Sequence, residues 1–225
     1  MRLPKTAHTS RPWRIHEIAP DFQVEDVWAL PTPGGADDFP RLMGFVTDRP
    51  VELNAQGKYV GDGSHGIVSR VSRALFELRW KLGELFGWDD RDSGVGRRVA
   101  TLRDRLPADL RDAPRGPDPG PGVPMTSLYL TEDEWATEMA NRTVHSVMHL
   151  GWVPDGTGGY RGQMAVLVKP NGPFGWAYMA AIKPFRYLIV YPALMRSIES
   201  YWQSRRASSS DATDPSPRES LAMRA

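Results

Sequence analysis

A chain of 225 residues is long enough for one sizeable core and cramped for two. Its 28 lysines and arginines balance 27 aspartates and glutamates, so no net field draws in nucleic acid or an anionic membrane, and the absence of cysteine removes disulfides, thiolate metal ligands and cysteine nucleophiles together. The apolar run "YLIVYPALM" falls far short of the roughly 20 residues of a membrane span, and "MRLPKTAHTS" lacks the apolar centre of a signal peptide; a soluble, cytoplasmic protein is expected.

In chain order, residues 1–10 read as a flexible N-terminus, 11–206 as a single domain and 207–225 as a disordered tail poor in large apolar residues. A short strand is expected around Ile15, and "APDFQVEDVWAL" is loosely helical through Phe22, Val27 and Leu30. "GDGSHG" at 61–66 matches G-x-G-x-x-G but follows no convincing buried strand; it reads as a helix start capped by Ser64, and no cofactor is expected. Ile67, Val71, Leu75, Leu78, Leu82 and Leu85 then fall on one stripe of a 3.6-residue period, which predicts a helix. The run at 112–124, "DAPRGPDPGPGVP", is too rich in proline and glycine for helix or ladder.

"NRTVHSVMHLGWV" sets His145 and His149 four apart, the spacing that on a helix aims two imidazoles at one metal. The β-branched Thr143, Val144, Val147 and Val153, with Gly151 and the "PDGTGG" turn, favour strand instead. On a strand the two rings stand roughly 13 Å apart at ~3.3 Å per residue, too far to share an ion. No metal is expected. "EWATEM", "TVHSVMHLGWV" and "YRGQMAVLVK" then form an antiparallel meander with His145, Val147, His149 and Gly151 on one face.

If the turn sets the register, His149 lies near Met164, Val147 near Val166 and His145 near Val168, an apolar neighbourhood that favours inward histidines. Neutral-range imidazoles facing a cavity suit acid or base work, or a hydrogen bond to a ligand; on a solvated face they do neither. Glu134 and Glu138 share a strand face and are expected to be exposed. Finally "NGPFGWAYMAAIKPFRYLIVYPALMRSIESYWQSRR" carries apolar residues for more than five helical turns, interrupted by Pro184 and Pro192; a kinked helix, or a short helix leading into a longer one, buried along most of its length, is expected.

"EWATEMANRTVHSVMHL" followed by "NGPFGWAYMAAIKPFRYLIVYPALM" resembles an actinobacteria-rich family of domains of unknown function, numbered twenty-eight sixty-seven. Glu134 and Trp135 match its E-L-x-L-G strand, His145 its D-D-x-H-L segment, and Asn171, Gly175, Tyr178, Pro184 and Phe185 its N-x-x-G-x-x-Y and P-F-H helix, with Arg186 in place of the histidine. The resemblance implies an α+β helix-grip architecture, distantly similar to the START and polyketide-cyclase superfamily, in which an antiparallel sheet and a long C-terminal helix enclose a ligand. It implies no catalytic set. Members fused behind short-chain-dehydrogenase-like domains suggest a reductase-type partner.

Together these features predict a domain that binds a small apolar or aromatic molecule, lined by His145, Val147, His149, Met164, Val166, Tyr178 and Phe185. Two alternatives stand beside it. One is a cyclase or dehydratase in which His145 or His149 moves a proton; the other is a non-catalytic partner of a short-chain reductase.

Overall fold

The chain starts with a short strand β1 (Arg2–Leu3), two helical turns α1 (Thr6–Thr9) and α2 (Ile15–Ile18), a longer strand β2 (Gln23–Ala29) and a helix α3 (Phe39–Thr47). In this computed structural model residues 1–47, 95–97, 99–119, 125–141 and 143–211 are described. The glycine loop at 61–66 and the helix expected from Ile67 to Leu85 therefore lie outside the described residues, as do 120–124 of the proline-rich run and the tail from 212 onward.

A 3-10 turn (Leu102–Arg105) and α4 (Ala108–Asp112) lead into β3 (Thr126–Leu130), β4 (Glu134–Ala140), β5 (Val144–Pro154) and β6 (Tyr160–Pro170). All six strands pair antiparallel in the order β1-β2-β6-β5-β4-β3, so the expected three-strand meander is the centre of a larger sheet. The fold is α+β. Among the described residues no helix is long and apolar enough to cross a membrane.

Residues 1–10 are not a flexible arm. Arg2 and Leu3 pair with Trp28 and Val27, the Met1 amino group donates to the Ala29 carbonyl at 3.0 Å, and His8 is fully buried. The loosely helical reading of "APDFQVEDVWAL" is also corrected: most of it is β2, made irregular by a bulge at Glu25. Val24 pairs with Leu167 and Asp26 with Val166, so one extra residue breaks the two-residue alternation by which a strand is recognised. Near Ile15 the chain is a helical turn, not a strand.

The two sheet faces carry different layers. One, with Val147, Ala165 and Leu167, is covered by Trp13, Ile15, Ile18, Phe22, Leu102, Leu106 and Leu110. Trp13 lies so close over Gly151 that a Cβ there would sit 2.6 Å from the indole ring. Gly151→Ala is therefore expected to cost about 1–3 kcal/mol, as overpacking does, read as a lower urea midpoint.

The other face, with Trp135, Leu150, Trp152 and Met164, is covered by α3 and by the C-terminal helix. That helix comprises α5 (Gly172–Phe185), a π-helical segment (Arg186–Val190) and α6 (Tyr191–Asp211) in unbroken succession. The Asn171 amide donates to the Thr143 carbonyl at 2.8 Å and anchors its start. Pro184 and Pro192 have no N–H to continue an α-ladder, and between them the Tyr191 amide bonds the Arg186 carbonyl, five residues back. The expected kink is thus a wider turn. Burial of the helix is one-sided: Trp176 and Leu188 are 51% and 75% exposed, because a single helix on one sheet turns only one flank inward. It also runs to Asp211, five residues into the expected tail.

Candidate functional site

The histidines on β5 are buried, and each is held by a glutamate of β4. His149 Nε2 lies 2.8 Å from Glu134 Oε2, and His145 Nε2 2.9 Å from Glu138 Oε2. The register explains the pairing: Glu134 stands opposite Gly151 and Glu138 opposite Val147, so each carboxylate reaches diagonally to the imidazole two residues earlier on β5. Both glutamates were expected on the exposed face. They are buried instead, because this face is roofed by the N-terminal turns and the 3-10 turn.

Each carboxylate also fastens that roof. Glu134 Oε1 accepts from the Arg14 amide at 3.0 Å, immediately before α2, and Glu138 Oε2 accepts from the Leu102 amide at 3.1 Å, the first residue of the 3-10 turn. The Thr101 hydroxyl donates to Glu138 as well. Farther out, Arg14 grips Asp109 through two hydrogen bonds, and Arg105 and Lys169 converge on Asp21, whose carboxyl they hold well below its ordinary range.

The two pairs differ in what lies beyond the imidazole. Phe22 packs edge-on over His145. His149 continues into a third ring: His8 Nε2 is 3.2 Å from His149 Nδ1, and His16 packs edge-on against His8 with centroids 4.8 Å apart. When His149 donates from Nε2 to the carboxylate and accepts at Nδ1, His8 is the donor from Nε2 and its own Nδ1 carries a lone pair. That Nδ1 is buried without a hydrogen-bond partner among the described residues, as are Trp13 Nε1 and Gln163 Oε1. Burial, then the neighbouring His149 and His16, push the His8 pKa down to about 2. The Tyr129 hydroxyl donates to Glu134 Oε2 at 3.0 Å, and burial beside that carboxylate raises its pKa well above the ordinary tyrosine value. Among the described residues no three His, Asp or Glu side chains are grouped to hold a metal.

A second polar cluster occupies the opposite face. Asp26, buried at the β2 bulge, accepts from the Tyr191 hydroxyl at 2.8 Å, from the Tyr187 hydroxyl and from Arg186 Nη2, which also donates to the Tyr191 hydroxyl at 2.6 Å. The π segment makes this possible, since its wider turn brings Arg186 and Tyr191, five apart, to one side. Burial, aided by Asp26, raises the Tyr187 pKa to about 12 and that of Tyr191 still further. Trp28 stacks on Tyr191 at 4.6 Å and the Arg2 guanidinium lies 4.6 Å over the Tyr187 ring.

Asp26 stands opposite Val166, Val166 opposite Met148, and Met148 opposite Thr137, a single row across the sheet under the helix. Although Met148 and Val166 lie on the central strands, they and Ser146 are only half-buried. The next row, through Met164, Leu150 and Trp135, is closed.

The seven expected lining residues therefore divide. His145, Val147 and His149 lie under the N-terminal roof, whereas Met164 and Val166 lie on the helix side. The error is one residue of register: the hairpin closes at Pro154 opposite Tyr160, which places His149 against Ala165, Val147 against Leu167 and His145 against Lys169. A one-residue slip moves every partner to the other face. Phe185 is half-buried on the C-terminal helix; Tyr178 belongs to that helix, but its side chain lies outside the described ones.

Sequence reasoning missed His8, Tyr129, Asp26 and the partnership of both glutamates. The i, i+4 repeat of carboxylates on one strand and of imidazoles on the next was the signal available for the pairs. No curated protein and no solved structure matches the chain. The family described as "Protein of unknown function (DUF2867)" matches residues 18–193, most of the chain and including Glu134, Glu138, His145, His149, Asp26 and Arg186, and the protein belongs to that family.

Proposed function

We propose that the domain is a helix-grip binder that holds a small apolar or aromatic molecule between the C-terminal helix and the sheet, over the row of Val166 and Met148. The observation that carries this is the half-burial of Ser146, Met148 and Val166 at the middle of the sheet, beside the closed row of Met164, Leu150 and Trp135. Trp28, Tyr187, Ile182 and Met195 are likewise half-buried apolar walls, and the Asp26 cluster supplies fixed polar groups at one end. An apolar slot with a few convergent polar groups is the usual make-up of a small-molecule site.

A second reading rests on Glu134, His149 and His8. A carboxylate and two imidazoles in series are the parts from which proton transfer of the cyclase or dehydratase kind is built, with Glu134 orienting His149. The two readings place the ligand on opposite faces of the sheet.

Fluorescence titration with the uncharged probe N-phenyl-1-naphthylamine separates them. Saturable binding is expected, weakened by about tenfold or more in Val166→Trp and in Met148→Phe, because added bulk fills the slot, and unchanged in His8→Phe and His149→Phe. Loss confined to the histidine variants would move the site under the N-terminal roof. No saturable binding to the wild-type protein would refute the slot.

A further inference from the structure

The polar end of the slot carries more positive charge than it needs for its own pairing. Its carboxylates are Glu25 and Asp26. Lys5 and Lys183 approach Glu25 at 3.9 and 3.4 Å, Arg186 pairs with Asp26, and Arg2 lies over the Tyr187 ring with no carboxylate partner among the described residues. Four cations face two carboxylates.

Arg186 is the innermost of the four. Only its Nη2 is engaged, by Asp26 and Tyr191; Nη1 and Nε–H make no hydrogen bond among the described residues, while the side chain keeps 12% of its surface accessible. Asp26 and the Tyr191 ring, 5.5 Å from the guanidinium carbon, fix the group in place. A guanidinium held this way, largely desolvated and with donors to spare, is suited to a carboxylate, because charge-assisted hydrogen bonds strengthen where water is excluded and a preset fork loses little entropy on binding.

We propose that the ligand of the slot is a small aromatic or apolar carboxylic acid, its ring over Val166 and Met148 and its carboxylate on the donors of Arg186 that Asp26 leaves unused. Arg2 adds attraction from the rim. This rests on the slot reading above and names the class of molecule it takes. The row Asp26–Val166–Met148 sets the geometry, since a flat molecule lying along it has its polar end at the arginine.

The test compares 2-naphthoate with its uncharged analogue 2-naphthamide by isothermal titration at low and high salt, on the wild-type chain, Arg186→Gln, Arg186→Lys and Arg2→Gln. Wild type is expected to favour the naphthoate by about tenfold or more, a preference that Arg186→Gln abolishes and Arg2→Gln reduces. Because Arg186 also neutralises buried Asp26, Arg186→Gln could unfold; Arg186→Lys keeps the charge and loses the fork, so it should remain folded by circular dichroism and narrow the preference. Equal binding of the two compounds to wild type, or a preference untouched in the folded Arg186 variants, overturns the carboxylic-acid assignment while the slot survives. Failure of naphthoate, naphthamide and N-phenyl-1-naphthylamine alike removes the slot itself.

Discussion

Glu134→Ala is expected to destabilise the fold by about 3–5 kcal/mol. The carboxylate is 3% exposed and receives hydrogen bonds from three groups, the His149 ring, the Tyr129 hydroxyl and the Arg14 amide. Removing it leaves all three without an acceptor in a place water does not reach, and an orphaned buried donor costs more than a formed hydrogen bond contributes. The loss falls on the docking of the N-terminal turns as much as on the sheet, because the Arg14 amide is one of the links between them. Urea denaturation followed by tryptophan fluorescence measures it. The triple change Glu134→Leu, His149→Leu, Tyr129→Phe should recover part of the loss, since it removes two of the three orphaned donors along with the acceptor and leaves only the Arg14 amide. A Glu134→Ala protein as stable as wild type would mean the pairing makes no net contribution.

The second large effect is a dependence of stability on acid. His8 has a folded pKa near 2 against an ordinary 6.5, so the folded state holds the neutral ring and the unfolded state takes up a proton first. Stability from this group is whole above pH 6.5 and declines as the pH falls from there towards 2. At pH 5 the deficit is about 2 kcal/mol, from 1.36 kcal/mol per unit. The charged or titratable groups around it are His149, His16, Glu134 through His149, and Tyr129. His8→Phe should flatten the slope of unfolding free energy between pH 6.5 and 5, even though it loses the hydrogen bond to His149 and starts from a lower plateau. An unchanged slope would assign the acid sensitivity to other groups.

The central meander was legible because β5 and β6 are runs rich in β-branched and other apolar residues, each strand is bounded by turn residues, and Gly151 and the "PDGTGG" turn disfavour a helix there. β2 was not, because its alternation is interrupted by the bulge at Glu25, and β1 is too short to carry a pattern. The choice of face failed for a different reason. Both faces of β5 are buried, so hydrophobicity does not distinguish them, and the register depends on how the loop Asp155–Gly159 closes. There the Asp155 carboxylate accepts from the Thr157 and Gly159 amides, with Gly156 and Gly158 at positive φ, a geometry that length alone does not reveal. The burial of Glu134 and Glu138 was hidden because carboxylates are taken as surface residues unless their partners are known, and those partners lie 7 to 15 positions away on the next strand. Asp26 and His8 were further still, joined to their partners across 165 and 141 residues.

The π segment between Pro184 and Pro192 sets the phase of everything after it. A π turn holds one residue more than the α turn it replaces, so deleting a residue there would rotate the rest of the helix by about 100° about its axis. Ile198 and Trp202 would swing off the sheet, the Trp202 indole would lose the Pro33 carbonyl it meets at 3.0 Å, and Arg41 would lose both the ring beneath it and the Trp202 carbonyl. Substitution within the segment changes a side chain; a change of length turns the whole far end like a mis-set gear. The spacing of the two prolines is therefore a clock setting shared by the Asp26 cluster and by the distant packing of the helix against Pro33 and α3.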